Sequence, residues 1–91
     1  MVIEVKALPL ELVKEACEVG ESAARKYVTS KVNERLINSL DIQVKYEEEE
    51  VLFSVDVFID LSPLSGVDPE RLADEAADAA LSAIDKIVRG K

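Results

Sequence analysis

Apolar and polar residues of this 91-residue chain alternate with two different periods, and each period predicts a different element. Over residues 12–28 and 73–88 the apolar positions recur every three or four residues, which is the spacing of one face of an α-helix. Over residues 40–46 and 51–61 they alternate with polar positions, as in a strand with one buried face. The pattern therefore predicts two strands between two helices.

The two alternating segments are expected to pair as a β-hairpin. A two-residue turn at Glu48 and Glu49 would place Tyr46 opposite Val51, with both side chains facing the core. The buried face would consist of Leu40, Ile42, Val44, Tyr46, Val51, Phe53, Val55, Val57, Ile59 and Leu61. The outward face of the second strand would carry Leu52, Ser54, Asp56, Phe58 and Asp60.

Local signals mark where the helices begin and end. Pro9 is expected to open the first helix, and Asp68 followed by Pro69 is a strong start for the second, because the carboxylate can cap the first N–H groups. Gly90 is the expected stop of the second helix. Gly20 disfavours the first helix by about 1 kcal/mol relative to alanine, which indicates that a neighbouring element approaches closely there.

The N-terminal segment is a third possible element, and the pattern does not determine whether it is a strand of the sheet. Residues 2–7 alternate, with Ile3, Val5 and Ala7 on one face, and they either join the sheet or lie beside it. The expected fold is a single α+β domain spanning residues 1–91. Its small antiparallel sheet would be covered on one face by two amphipathic helices, in the order (β)-α-β-β-α.

The amino-acid composition excludes several kinds of site. The chain has no histidine, which excludes a nucleophile–histidine enzyme, and one cysteine, Cys17, which excludes an internal disulfide. Zinc and iron–sulfur sites are disfavoured for the same reason. Cys17 lies in the apolar stripe of the first helix, where we expect it to act as a small hydrophobic residue. We therefore expect a protein that is not an enzyme and needs no cofactor.

Charge is distributed unevenly along the chain. Residues 1–45 carry seven acidic and seven basic side chains, whereas residues 46–91 carry twelve acidic and four basic, for a net charge of -8. The second half would repel phosphate, so direct nucleic-acid binding is disfavoured. No apolar run approaches the ~20 residues of a membrane span, and Glu4 and Lys6 interrupt any N-terminal signal sequence. We expect a cytoplasmic protein, and the abundance of Glu, Lys and Arg is typical of thermophiles.

Two polar segments are candidate ligand sites. The run Glu47, Glu48, Glu49 and Glu50 offers carboxylates to a divalent metal ion or a small ligand, and such binding is the alternative function. Consecutive residues point in different directions, however, so we favour a solvated hairpin tip that discourages aggregation. The loop at residues 61–66 offers hydroxyl and amide groups near the second helix, but Asp68 and Glu70 already occupy its positive end, which favours a rigid connection.

The outward face of the hairpin is the leading candidate for a functional surface. Leu52 and Phe58 would stand there among polar side chains. A sheet covered on one side leaves its other face and an edge open, and a protein partner or a second copy of the chain would bury them. We therefore expect an interaction module, a homodimer or an accessory subunit, whose contact residues are Leu52, Ser54, Asp56, Phe58 and Asp60.

The segment from Leu61 to Ala76, which begins Leu-Ser-Pro-Leu-Ser-Gly, resembles an uncharacterised archaeal family of small acidic proteins known as a domain of unknown function. The likeness extends to residues 25–32 and 41–46, so it covers most of the chain. It implies an α-β-β-α core and an archaeal cytoplasmic protein, and it brings no catalytic residues. By element order alone, the chain is similar to the small dimerising subunit of the archaeal KEOPS tRNA-modifying complex and its paralogue, which implies an accessory role of that type.

Overall fold

Two helices and three strands follow one another in the order β-α-β-β-α in the computed structural model, which describes residues 1–89. This confirms the expected α+β architecture and assigns the N-terminal segment to the sheet. A 3₁₀ turn precedes the second strand, and another follows the third. The elements are β1 (Val2–Glu4), α1 (Leu10–Lys31), β2 (Ile37–Glu47), β3 (Leu52–Leu61) and α2 (Pro69–Arg89).

The sheet is antiparallel and its strand order is β1-β3-β2, so β3 lies between the other two strands. β2 pairs with β3 along its length, from Glu47 opposite Leu52 to Ile37 opposite Leu61. β1 is much shorter than residues 2–7, and it pairs three residues with the first three of β3. The sheet is therefore three strands wide at one end and two strands wide at the other.

Both helices pack on the same face of the sheet, and the core lies between the two layers. Leu72, which lay outside the predicted stripe of the second helix, is 2% exposed and belongs to this core. No helix within residues 1–89 is long and apolar enough to cross a membrane. The buried helical residues are Val13, Ala16, Gly20, Ala24 and Val28 on α1 and Leu72, Ala76, Ala77, Ala80 and Ile84 on α2.

Gly20 lies where α1 packs against α2 and β2. A Cβ atom placed on Gly20 would lie 2.8 Å from Ile84 Cδ1 and 3.7 Å from Val44 Cγ2. Ile84 is fully buried, so a side chain at position 20 would meet a closed core. The expected close approach at Gly20 is confirmed, and it explains why a residue unfavourable to helices stands in the middle of α1.

The start of α2 agrees with the predicted capping residues. Asp68 Oδ1 accepts a hydrogen bond of 3.0 Å from the Glu70 N–H, and Pro69 is the first helical residue. Gly66 has φ 67°, a left-handed conformation that favours glycine and turns the chain toward the helix. The stop predicted at Gly90 lies outside the described residues.

The β-hairpin has a different register from the predicted one. Tyr46 lies opposite Phe53 rather than Val51, and the two ring centroids are 5.0 Å apart. The connection contains four residues, from Glu48 to Val51, instead of a two-residue turn at Glu48 and Glu49. A two-residue type I′ turn needs left-handed backbone at both central residues, here two glutamates. Among the described residues of the longer connection, only Val51 is left-handed, with φ 52°. Val51 is thus a turn residue, not a core position of β3.

Candidate interaction surface

The side of the sheet opposite the helices, called the open face below, holds every residue that the sequence placed on the outward side of β3. Successive strand side chains point to opposite sides of a sheet, so these residues face away from the core. The register sets alternate residues of β2 beside them. The open face comprises Leu52, Ser54, Asp56, Phe58 and Asp60 of β3 and Ser39, Asp41, Gln43, Lys45 and Glu47 of β2.

Phe58 is the main apolar group of the open face. It is 60% exposed, whereas Phe53, on the other side of the same strand, is fully buried. Asp41 of β2 is its neighbour on one side. On the other side, β1 pairs with β3 as far as Ser54, and within residues 1–89 no strand flanks Phe58 there. The ring is therefore accessible both from the open face and from one edge of the sheet.

Leu52, the second apolar residue predicted for this surface, is half-buried because strands flank it on both sides. Its cross-strand partners are Glu47 of β2 and Glu4 of β1. Leu52 and Phe58 are six positions apart on one strand, which is roughly 20 Å at about 3.3 Å per residue. The structure places both on the open face but does not bring them together into one apolar patch.

Val2 is an apolar residue of the open face that the prediction did not include. It is 60% exposed and lies opposite Ser54, near the Leu52 end of β3. The alternation of residues 2–7 was the signal that could have found it, since this alternation puts Val2 on the side opposite Ile3. The pattern alone did not show which strand this segment joins, and therefore which residues Val2 accompanies.

The polar residues around Phe58 make its surroundings acidic. Asp56 and Asp60 lie two positions before and after it on the same face, and both are exposed. Asp41 lies across from it on β2 and accepts a 3.3 Å hydrogen bond at Oδ2 from the Gln43 side-chain amide. Three carboxylates therefore surround one exposed aromatic ring. This arrangement fits an apolar anchor with a charged rim, and it offers no nucleophile or base in a cleft.

The four consecutive glutamates lie at the hairpin tip, and all four are exposed. Glu47 ends β2 and the other three belong to the connection that follows. Within residues 1–89, no group of three or more carboxylate or thiol side chains is placed to hold a metal ion. The arrangement agrees with a solvated tip whose charges keep the sheet end in water.

Cys17 and the loop before α2 take up local structural roles. Cys17 is half-buried against the core, and burial raises the pKa of its thiol, so less of the reactive thiolate forms at neutral pH. In the loop, Ser62 Oγ accepts a hydrogen bond of 3.2 Å from the Leu64 N–H, and Ser65 Oγ accepts one of 3.2 Å from the Val67 N–H. The hydroxyl groups therefore stabilise the connection itself, as expected for a rigid link.

Two of the grooves on the surface of residues 1–89 lie at the two sides of the helical layer. In both, the polar lining side chains are exposed, so neither groove presents the buried polar groups that orient a small ligand. The first, of about 510 Å³, is lined by Glu4, Val5, Lys6, Leu8, Val88 and Arg89. The second, of about 500 Å³, is lined by Ser22, Arg25, Lys26, Thr29, Glu34, Ile37 and Leu40.

The chain matches one family of sequences over most of its length. Residues 6–87 match the family described as "Protein of unknown function (DUF3194)". The chain belongs to this family. The match of the DUF3194 chain runs from the segment before α1 to near the end of α2, so it includes β2, β3 and most of the open face. It confirms the resemblance to a domain of unknown function. No curated protein is significantly similar to the chain in sequence.

Two solved structures have the same fold as this DUF3194 chain. A crystal structure from Thermococcus onnurineus NA1 superposes with a TM-score of 0.82 at 20% identity, covering 98% of this chain and 87% of the other. The solution structure of the hypothetical protein mth677 from Methanothermobacter thermautotrophicus gives a TM-score of 0.76 at 24% identity, covering 97% of both chains. At this identity the likeness concerns the fold. Both sources are archaea.

Proposed function

We propose that this DUF3194 protein is a non-enzymatic protein–protein interaction module that works as a homodimer or as an accessory subunit of a larger assembly. The observation that carries the proposal is Phe58, a 60% exposed aromatic ring on the open face of a sheet whose other face is covered. Fully burying a phenylalanine contributes about 1.5–3 kcal/mol relative to leaving it in water, so covering this ring supplies roughly 1–2 kcal/mol to binding.

The surroundings of Phe58 suggest the chemistry of the partner. Asp41, Asp56 and Asp60 would form a polar rim around a central aromatic anchor, which is the usual layout of a protein interface. The matching surface on the partner is an apolar pocket bordered by lysine or arginine side chains. The same carboxylates disfavour a phosphate backbone, so the partner is a protein and not a nucleic acid.

A larger assembly of the KEOPS type is the candidate for the accessory role. The support is the shared element order, since the small dimerising subunit of that complex and its paralogue also run β-α-β-β-α. The archaeal sources of the two similar structures agree with such a setting. We place the protein in the archaeal cytoplasm, where this complex acts on tRNA, with a contact surface made of Leu52, Ser54, Asp56, Phe58 and Asp60.

Binding of purified partners to a Phe58→Asp variant tests the proposal. The chain is titrated with itself and with each purified KEOPS subunit of the same organism, and the dissociation constant is measured. We expect one of these to bind and Phe58→Asp to weaken that binding at least tenfold, because a charge replaces the buried ring. Leu64→Asp is the matched control, since Leu64 is 85% exposed in the loop after β3 and lies outside the open face.

Two results would contradict the proposal. If the wild-type chain binds neither itself nor any KEOPS subunit, the homodimer and the KEOPS-type assembly both fail. If it binds a partner and Phe58→Asp binds as tightly as Leu64→Asp, the open face is not the contact surface. Far-UV circular dichroism of both variants shows whether each keeps the fold.

A further inference from the structure

The edge of β3 that faces β1 is paired over only part of its length. Its last pair is formed by Val55, whose N–H donates a 2.7 Å hydrogen bond to the Met1 carbonyl oxygen and whose carbonyl oxygen accepts one of 3.0 Å from the Met1 amino group. Beyond Val55, no strand within residues 1–89 pairs with this edge. Alternate residues of an antiparallel strand direct their N–H and C=O groups to the same side, so Val57 and Ile59 direct theirs to the side of Val55. Residues 57–60, called the β3 gap below, therefore offer two N–H and two C=O groups to another strand.

The core side of β3 is less well covered at the β3 gap than beside β1. Phe53 and Val55, which β1 flanks, are 0% and 1% exposed. Val57 and Ile59 point to the same side of the sheet but are only half-buried. α2 packs against both β1 and β3, so it lies over this side of the sheet. A strand in the β3 gap would extend the layer beneath α2 and bury two apolar side chains further.

We propose that the β3 gap binds an extended basic segment of a partner protein, which adds a strand in line with β1. The segment runs antiparallel to β3, as β1 does, and its four central residues lie opposite residues 57–60. Its backbone exchanges two hydrogen bonds with Val57 and two with Ile59. This inference rests on the proposed interaction role, and it names the part of the partner that contacts the chain.

The side chains around the β3 gap determine the sequence of the segment, because neighbouring strands pair their side chains on the same face. The residue opposite Phe58 would lie against a 60% exposed ring and should be apolar. The residue opposite Asp60 shares this face with two exposed carboxylates, those of Asp60 and Asp56, and should be lysine or arginine. The residues opposite Val57 and Ile59 would face the helical layer, which favours β-branched side chains. From its N-terminal end, the segment therefore reads basic, β-branched, apolar, β-branched.

Charge favours another protein over a second copy of the chain as the source of this strand. A second copy could offer its own β3 gap, with Phe58 opposite Phe58. The two-fold axis would then set Asp56 of each copy opposite Asp60 of the other, and like charges directly opposite are destabilising. A basic segment has the reverse effect, since the chain has a net charge of -8.

Titration with a designed peptide tests the inference. The probe is acetyl-Lys-Thr-Lys-Val-Leu-Val-amide, whose last four residues would lie opposite residues 60 to 57. We expect saturable binding with a dissociation constant below about 1 mM, measured by NMR of the isotope-labelled chain. One control peptide has glutamate in place of both lysines, and the other has N-methyl groups on both valines, which remove two hydrogen-bond donors. Each control should bind at least about fivefold more weakly.

Amide hydrogen exchange shows where the peptide binds. In the free chain we expect the N–H groups of Val57 and Ile59 to exchange at least about tenfold faster than those of Phe58 and Asp60, which face β2. The peptide should slow the exchange of Val57 and Ile59. If these two are already protected in the free chain, the edge is closed. If their protection grows with protein concentration and no peptide, a second copy fills the gap. Either result overturns the inference.

Charge reversal at Asp60 tests the basic character of the segment. We expect Asp60→Lys to weaken binding of the lysine peptide at least about fivefold and to make the glutamate peptide the better ligand. Glu47→Lys is the matched control, because it changes the net charge equally on the same open face. Glu47 lies opposite Leu52, eight positions from Asp60 along β3 and roughly 26 Å away. Equal weakening by both variants would mean that net charge alone attracts the peptide, and the inference would fail. Circular dichroism shows whether both variants keep the fold.

The inference and the proposed function can fail separately. If the lysine peptide does not bind saturably at millimolar concentration, the β3 gap is not a strand site and the inference is overturned. The proposed function still stands in that case if Phe58→Asp weakens binding of a purified partner, because the contact would then use the open face and not the edge of β3.

Discussion

At the residue scale, substitution of Gly20 has two opposing effects on the free energy of unfolding. Alanine would gain about 1 kcal/mol of helix propensity. Its Cβ, however, would lie 2.8 Å from Ile84 Cδ1 in a closed core, and overpacking of this kind costs about 1–3 kcal/mol. We expect the steric term to win, so that Gly20→Ala lowers the free energy of unfolding by about 1 kcal/mol, as measured by urea denaturation.

The cause of this loss is tested by shortening Ile84. Ile84→Val removes the Cδ1 atom and alone should cost about 0.5–1.5 kcal/mol. In the Gly20→Ala background it also removes the shorter of the two tight contacts, Cδ1 at 2.8 Å, and leaves Cγ1 at 3.0 Å. The double variant should therefore be more stable than the sum of the single effects by about 1 kcal/mol. Additive single effects would contradict the steric explanation and would place the cost of Gly20→Ala elsewhere in α1.

At the element scale, the β2–β3 connection places a β-branched residue in an unfavourable conformation. Val51 has φ 52°, and left-handed backbone costs a residue of this type about 1–2 kcal/mol. Its carbonyl oxygen accepts a 2.9 Å hydrogen bond from the Val5 N–H, which any residue at this position can retain. We expect Val51→Gly to raise the free energy of unfolding by about 1 kcal/mol in urea denaturation.

Val57→Gly is the matched control for this prediction. It makes the same chemical change in the middle of β3, where the backbone is extended and the side chain is half-buried on the core face. Glycine weakens a strand interior, so this variant should lose stability. If Val51→Gly is destabilised to the same degree, packing of the Val51 side chain contributes more to stability than the loss of its left-handed strain.

The hairpin also shows which part of an element can be predicted from sequence. Alternation assigned residues 40–46 of β2 and all of β3 to the core side or the open face, because the side-chain period of a strand is two. It did not determine the register, since a shift by two residues leaves every side chain on the same face. The difference between Tyr46 opposite Val51 and Tyr46 opposite Phe53 was decided in the turn, which contains no glycine or asparagine to indicate its length.

At the scale of the whole molecule, the periodicity of apolar residues could not predict the strand order. Apolar periodicity tells which face of a strand is buried, but not which strand lies beside it. Phe58 and the residues around it could therefore be predicted for the open face, whereas the half-buried state of Leu52 depends on β1. The β3 gap likewise follows from the bounds of β1 and the order β1-β3-β2. Only the assembled sheet reveals which surfaces remain for a partner.

The net charge of the molecule is the second property that belongs to this scale. The second half of the chain has eight more acidic than basic side chains, and Glu48, Glu49 and Glu50 are exposed in consecutive positions. Ion pairs of the described residues, such as those joining Arg25 to Glu21 and Arg89 to Asp85, lie on helix surfaces, where each contributes about 1 kcal/mol or less. Repulsion among carboxylates should therefore dominate the electrostatic part of the stability.

Screening this repulsion should stabilise the protein. Between about 0.02 and 0.5 M NaCl the screening length falls from roughly 20 Å to about 4 Å, and we expect the free energy of unfolding in urea to rise by about 1 kcal/mol. A variant with Glu48, Glu49 and Glu50 all changed to glutamine is the control, and it should be more stable than the wild type at low salt and gain less from NaCl. A wild-type stability that falls as salt is added would mean instead that attractive pairs outweigh the repulsion, and the acidic hairpin tip would then carry no electrostatic cost.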